Sequence, residues 1–113
     1  MNHKQALEIL IKDLSLIDEP RSDVKLICRE PDIFRYDSLD RMKCCDLFVG
    51  FYDQRLLLVE LKHSANKLDH AILQLTSSYH VARDLFDTDD IQGKVVYYMS
   101  GKFTYQTISL ANT

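Results

Sequence analysis

The apolar and polar positions of the first third of the chain predict a helix followed by an irregular strand. From His3 to Leu14 the apolar residues recur at helical spacing, and Pro20 closes the linker that follows. Val24 to Cys28 is a short run rich in β-forming residues that ends before a proline, and Phe34 to Tyr36 can extend the same strand region. The polar stretch from Asp37 to Lys43 is predicted to be a loop.

Two apolar runs in the middle of the chain predict a β-hairpin. Cys44 to Phe51 and Leu56 to Leu61 are dense in Leu, Val and Phe, and the polar segment Tyr52 to Arg55 separates them. The second run is apolar without interruption up to Glu60, which is the pattern of a strand that is buried on both faces. We therefore expect these two strands to lie inside a sheet.

The last part of the chain predicts a long helix and a second hairpin. The helix runs from about Lys67 to Phe86, with one apolar stripe and with Ser64 or Asn66 as a possible cap. An acidic loop from Asp87 to Gly93 precedes two further runs, which flank Ser100 to Lys102; these runs are Lys94 to Met99 and Phe103 to Leu110. The predicted order is α-β-β-β-α-β-β, a single α/β domain over residues 1–113 with a central mixed sheet flanked by helices.

Composition supports a globular chain and restricts its partners. The 113 residues are 46% hydrophobic and 27% charged, and no apolar run reaches the roughly 18 residues of a membrane-spanning helix. The N-terminus lacks the pattern of a secretory signal, so we expect a cytoplasmic protein without a membrane partner. Cys28, Cys44 and Cys45 are expected to be buried, reduced thiols, because their spacing suits neither a disulfide framework nor a zinc site.

The net charge of −3 argues against a protein that holds nucleic acid over its whole surface. A nucleic-acid enzyme would have to gather its basic residues on one face, and a cation held by acidic residues would offset part of the negative field. The candidates for such a face are Lys4, Lys12, Arg35, Arg41, Lys43, Lys62, Lys67 and Arg83.

The register of the central hairpin predicts that two acidic residues meet. If the chain turns around Asp53, Phe51 faces Arg55, and the same register places Asp46 opposite Glu60 with their Cβ atoms roughly 5 Å apart. Lys62 follows Glu60 by one strand period and reaches the same place. Two carboxylates at this separation repel each other unless a proton or a cation compensates them.

A divalent cation is one solution to this repulsion, and ordinary ion pairs are the other. Mg²⁺ prefers carboxylate oxygens and keeps coordination positions for water and phosphate, so the pair predicts a magnesium site. Alternatively, Asp46 and Glu60 are strand residues neutralised by Lys62, Arg55 or Arg35. Ionised residues in a strand that is buried on both faces are unusual without partners, which favours the functional interpretation.

Asp46, thirteen intervening positions and then Glu60-Leu61-Lys62 resemble the D…ExK signature of the PD-(D/E)XK nuclease superfamily. The order of elements from Gln5 to Met99 is also similar to the core of that family, a restriction-endonuclease-like fold. The resemblance implies that Asp46, Glu60 and the main-chain carbonyl of Leu61 bind Mg²⁺ or Mn²⁺, and that Lys62 is catalytic. Cys45 stands where the family name implies a proline.

The same resemblance suggests two further site residues. Glu8 matches the place where Holliday-junction resolvases carry an additional acidic metal ligand, although it can equally pair with Lys4 or Lys12 on a solvated helix face. Gln74 resembles the glutamine that VRR-NUC-like domains use near their catalytic site, although a solvent-facing glutamine is as simple an interpretation. His63 can touch a phosphate, but a histidine at a strand end is more often structural.

These features predict a metal-dependent DNA endonuclease that hydrolyses phosphodiester bonds. A chain of this size has little surface for a separate recognition domain, so we expect a homodimer. The Tyr-rich stretch Val95 to Tyr98, with Phe103 and Tyr105, either forms that contact or packs in the core. The alternative function is a nuclease-like fold that is kept as a non-catalytic binding or regulatory module.

Overall fold

A computed structural model describes residues 1–29 and 44–110 of the chain. These residues form an α/β structure in which a mixed five-stranded sheet carries two α-helices, which confirms the predicted class. The expected strand residues Phe34 to Tyr36 and the expected loop Asp37 to Lys43 lie outside the described residues. The elements are α1 His3–Lys12, β1 Val24–Arg29, β2 Leu47–Phe51, β3 Leu56–Lys62, α2 Leu68–Phe86, β4 Ile91–Tyr97 and β5 Thr104–Ile108.

The strands lie side by side in chain order, and one neighbouring pair is parallel. β2 and β3 form the predicted central hairpin, and β4 and β5 form the predicted second antiparallel pair. Between these pairs β3 and β4 run parallel, so α2 is the crossover connection that joins them. Neither helix among the described residues has the length and hydropathy needed to cross a bilayer.

Side-chain alternation in the central strands divides the core into two layers. Leu47, Val49 and Phe51 point to the face that α1 covers with Ala6 and Leu10. On the opposite face, Phe48 and Leu58 pack with Leu75 and Tyr79 of α2. The central strands β2 and β3 are therefore buried on both faces, as the unbroken apolar run predicted.

Several boundaries differ from the sequence-based expectation, among them one helix end and two strand starts. Helix α1 ends at Lys12, and Leu14 begins a short 3₁₀ helix, Leu14–Ile17, instead of continuing the α-helix. Strand β2 begins at Leu47, three residues after the expected start. Strand β4 begins at Ile91, inside the segment that was expected to be a loop.

The shifted start of β4 has a packing explanation in Gly93. This glycine pairs with Leu58 of β3 and Ile108 of β5, so it lies within the sheet. A Cβ atom at this position would lie 3.0 Å from Cδ1 of Leu110 and 3.4 Å from Cδ1 of Leu75. Gly93, which suggests a loop in the sequence, is therefore the point where the side chains of Leu110 and Leu75 approach the sheet closely.

A buried ion cluster joins the linker after α1 to the sheet. Nζ of Lys94 lies 2.8 Å from a carboxylate oxygen of Glu19 and donates to the main-chain oxygen of Ile17 at 2.6 Å. Nη2 of Arg55 donates to the other Glu19 oxygen at 3.0 Å. Glu19 is 4% exposed and Lys94 is 5% exposed, so the charges compensate each other away from water.

We predict that Glu19→Gln lowers the free energy of unfolding at neutral pH and reduces the further decrease in this free energy as the pH falls. Burial alone would raise the pKa of Glu19, but hydrogen bonds and attraction from Arg55 and Lys94 hold it below its ordinary value. The stability that this carboxylate contributes is thus present above the ordinary pKa of 4.5 and is lost as pH falls through the lower folded-state value. We expect a loss of roughly 3 kcal/mol at neutral pH, measured by urea unfolding over a pH series.

The matched control is Asp84→Asn, which removes an exposed carboxylate from α2. It should change the free energy of unfolding by less than about 0.5 kcal/mol and leave its pH dependence intact. A Glu19→Gln protein as stable as the wild type at neutral pH would contradict this account of the cluster.

Candidate functional site

The predicted acidic residues meet at the end of β3, next to the start of β2. The hairpin register pairs Leu47 with Val59, so Asp46 and Glu60 come next to each other one step further along, as predicted. This is also the carboxyl end of the parallel pair β3 and β4, an edge where α/β sheets often bind ligands. The location therefore suits a functional site.

Main-chain and side-chain hydrogen bonds fix the two carboxyl groups. Oε1 of Glu60 accepts from the main-chain nitrogen of Asp46 at 3.1 Å, and Oδ2 of Asp46 accepts from the main-chain nitrogen of Leu61 at 2.8 Å. The two carboxyl groups also hydrogen-bond to each other. Each acid is thus held by the strand that carries the other, so the hairpin register determines their separation.

Lys62 completes the predicted group. Its Nζ lies 3.5 Å from Oε2 of Glu60, on the side of that carboxyl group away from the Asp46 amide. The side chain of Glu60 is 1% exposed, whereas those of Lys62 and Asp46 are 18% and 14% exposed. Glu60 therefore lies beneath the surface, and Asp46 and Lys62 are the members that solvent reaches.

The pKa values of the two acids move in opposite directions. Burial raises the pKa of Glu60 to about 10, and the neighbouring Asp46 carboxylate adds to this effect. Burial would also raise the pKa of Asp46, but hydrogen bonds from His3 and the protonated Glu60 hold it below its ordinary value. Without a cation, the pair thus keeps one proton and one negative charge.

Two residues at this site were not predicted from the sequence. Nε2 of His3 lies 3.1 Å from Oδ2 of Asp46, at the first turn of α1. The ring of Tyr98, which is buried just after β4, stands edge-on to His3 at 6.1 Å and to His63 at 5.6 Å between ring centroids. The only sequence signal for His3 was its place at a helix start, and nothing local linked it to a residue 43 positions later.

Glu8 has a different ion-pair partner from the two lysines that the sequence suggested. It forms an ion pair with Arg29 at the end of β1, and neither expected lysine, Lys4 or Lys12, is its partner in that contact. Arg29 pairs with Leu47, the residue after Asp46, so Glu8 lies in the neighbourhood of the site. Its role as a metal ligand stays a prediction.

Gln74 is half-buried on α2, one helical turn before Ser78. Ser78 is buried, and its Oγ accepts from the main-chain nitrogen of Cys45 at 2.7 Å. This contact ties α2 to the residue that precedes Asp46. The catalytic role of Gln74 stays a prediction.

The donor atoms at the site suit a hard divalent cation. Two carboxyl groups lie together, one of them protonated while no cation is bound, and main-chain oxygens at the end of a strand are further oxygen ligands. Among residues 1–29 and 44–110, no three His, Cys, Asp or Glu side chains are grouped so that they could hold a metal by themselves. A cation here would therefore need the carboxyl pair together with main-chain or water oxygens.

Cys44 and Cys45 are buried, as expected, whereas Cys28 is half-buried. Burial raises the pKa of the Cys45 thiol, and the adjacent acids add to this effect. Cys45 is therefore an uncharged thiol beside the site when no metal is bound.

Comparisons with known proteins do not identify a family for this chain. No family model matches the chain, and neither a curated protein nor a solved structure matches it. The function must therefore be argued from the residues of the site, and the resemblance to the PD-(D/E)XK nucleases stays a prediction from the sequence.

We predict that Glu60→Gln stabilises the metal-free protein at neutral pH. The folded state retains a proton on Glu60 up to about pH 10, whereas the unfolded chain releases it near pH 4.5. The free energy of unfolding of the wild type therefore falls as the pH rises between these values. Glutamine does not titrate, so this decrease does not occur in the variant. We expect a gain of at least about 1 kcal/mol, measured by urea unfolding with a chelator present.

The gain should grow as the buffer is changed from mildly acidic to mildly alkaline, because only the wild type titrates at this position. Asp84→Asn, at an exposed carboxylate, should show no such gain at any pH. A Glu60→Gln protein that is less stable than the wild type in alkaline buffer would show that the ionised carboxylate is compensated in another way.

Proposed function

We propose that this protein is a metal-dependent DNA endonuclease of the restriction-endonuclease-like kind. The observation that carries the proposal is the buried contact of Asp46 with Glu60, with Lys62 beside it. A buried pair of acids that must retain a proton lowers stability at neutral pH, so its presence at a sheet end is better explained by a ligand than by folding. The two carboxyl groups, with the main-chain carbonyl of Leu61, are the groups that would hold Mg²⁺ or Mn²⁺.

Each residue of the site has a separate role in the proposed hydrolysis of phosphodiester bonds. A bound divalent cation would lower the pKa of a coordinated water and offset negative charge on the phosphate. Glu60 and Asp46 provide the negative charge that retains a cation, and their hydrogen bonds to main-chain nitrogens keep them in place. Lys62 is a partly exposed donor that can hydrogen-bond the attacking water or a phosphate oxygen.

The hydrogen bonds of Asp46 and Glu60 to main-chain nitrogens keep the two acids in position even when no ligand is bound. Asp46 precedes β2 and Glu60 and Lys62 belong to β3, so the acids and the lysine lie on or next to two paired central strands. Groups on rigid elements keep the positions that in-line attack at phosphorus requires. His3 contacts Oδ2 of Asp46 and is, in this proposal, a positioning residue for that carboxylate.

The net charge of −3 favours the alternative, a nuclease-like fold that binds a partner without catalysis. Both functions are compatible with the carboxyl pair as a cation site. They differ in whether Lys62 serves a reaction, so a variant of that residue separates them.

We predict that Mn²⁺ or Mg²⁺ raises the melting temperature of the wild type and supports cleavage of DNA. At a cation concentration about 100 times the dissociation constant, binding should add about 2.7 kcal/mol to the free energy of unfolding. Asp46→Asn should abolish both effects, because it removes one of the two negative groups. Lys62→Met should keep the stabilisation by the cation and lower the cleavage rate by at least about 100-fold.

Lys102→Met is the matched control, since it removes an exposed lysine from the turn before β5. It should leave both cation binding and cleavage at the wild-type level. Branched, duplex and single-stranded DNA should all be tested as substrates. Stabilisation by the cation without cleavage of any of them would support the non-catalytic module, and no stabilisation in the wild type would overturn the metal site.

A further inference from the structure

The two outer strands of the described sheet differ in how well their edges are protected. An outer strand exposes unpaired main-chain N–H and C=O groups, which can pair with another strand. Proteins limit such pairing with charged side chains, prolines or bulges at the edge. The order of the strands makes β1 and β5 the outer strands in the part of the chain that the structure describes.

Strand β1 carries these protective features. Its pairing with β2 is irregular between Val24 and Leu26, where the register shifts. Lys25 and Arg29 are both exposed on this strand, where Lys25 carries a positive charge and Arg29 pairs with Glu8 of α1. A second strand would therefore meet a distorted edge and like charges if it came from another copy of this chain.

Strand β5 carries none of these features. Its pairing with β4 is regular from Thr104 to Ile108, and no charged residue, proline or glycine occurs from Phe103 to Thr113. Thr, Tyr and Ile are strong β-forming residues. The side chains of Thr104, Gln106 and Thr107 are exposed, so polar uncharged groups flank the outer edge.

We propose that β5 pairs antiparallel with β5 of a second copy of this chain, so that the two sheets become continuous. A two-fold axis near Gln106 brings identical uncharged strands together, which is the self-complementary arrangement of a symmetric dimer. The chain has a net charge of −3, so two copies repel over most of their surfaces. The uncharged edge is where this repulsion is least.

The antiparallel arrangement also separates the nearest charges. Lys102 precedes β5, and in a pair centred on Gln106 it lies beside residue 110 of the other copy instead of beside the second Lys102. A strand of five residues gives a small contact, well below the roughly 1,000 Å² of a stable interface, unless neighbouring side chains add to it. The dimer is therefore in equilibrium with the monomer.

Dimerisation through β5 does not depend on the proposed nuclease function. Sedimentation of the full chain over a wide range of protein concentrations tests it. The wild type should dimerise as its concentration rises. Gln106→Lys should weaken dimerisation by at least about tenfold, because it places two lysines opposite each other at the centre of the contact. Leu26→Lys, at an exposed position of β1, is the matched control and should dimerise like the wild type.

Amide hydrogen exchange then locates the contact. Exchange at Thr104 to Ile108 should slow as the protein concentration rises, whereas exchange at Val24 to Arg29 should stay constant. Circular dichroism should show that both lysine variants keep the fold. A monomer at every concentration, or a dimer that Gln106→Lys does not weaken, would overturn the proposal, as would β5 amides that exchange equally slowly at all concentrations.

Discussion

The burial of Glu60 beside Asp46 is the constraint that gives the site its properties. β3 is covered on both faces, so a carboxyl group on this strand cannot turn to bulk water without disturbing the core. It meets the second acid instead, because the hairpin register brings Asp46 to the same place. Main-chain nitrogens and Lys62 satisfy some of the oxygens, but burial and the neighbouring charge keep Glu60 protonated. The protein thus retains a group that is poorly suited to its surroundings when no cation is bound.

Glu19, the other buried acid among the described residues, shows what full compensation looks like. Arg55 and Lys94 both contact Glu19 and its pKa is lowered, whereas that of Glu60 is raised. Two cations for one acid form a structural contact that joins the linker after α1 to β3 and β4. At the other cluster two acids share one lysine and a histidine contact, and Glu60 keeps its proton instead of being compensated as an anion. This difference between the two clusters is the physical reason for proposing a structural role for one and ligand binding for the other.

The sequence predicted the relations that depend on short-range periodicity, and it missed those that depend on the assembled fold. The alternation in β2 and β3, with a four-residue turn between them, was sufficient to pair Asp46 with Glu60. The contact of His3 with Asp46 requires the position of α1 over the sheet, which no local pattern specifies. Gly93 was misassigned for the same reason, because its surroundings are created by the packing of Leu75 of α2 and Leu110.

The candidate site also depends on more of the fold than its three charged residues suggest. His3 comes from the start of α1, Tyr98 from the end of β4, and Ser78 of α2 holds the residue before Asp46. These elements meet only when both faces of the sheet are covered, so the site forms with the tertiary structure and not before it. A ligand that binds the acids in this arrangement binds only the folded chain, and it therefore stabilises the whole domain. If a cation binds as proposed, it would recover the free energy that is lost by keeping the two acids together, and the stability of the fold would then depend on the occupancy of the site.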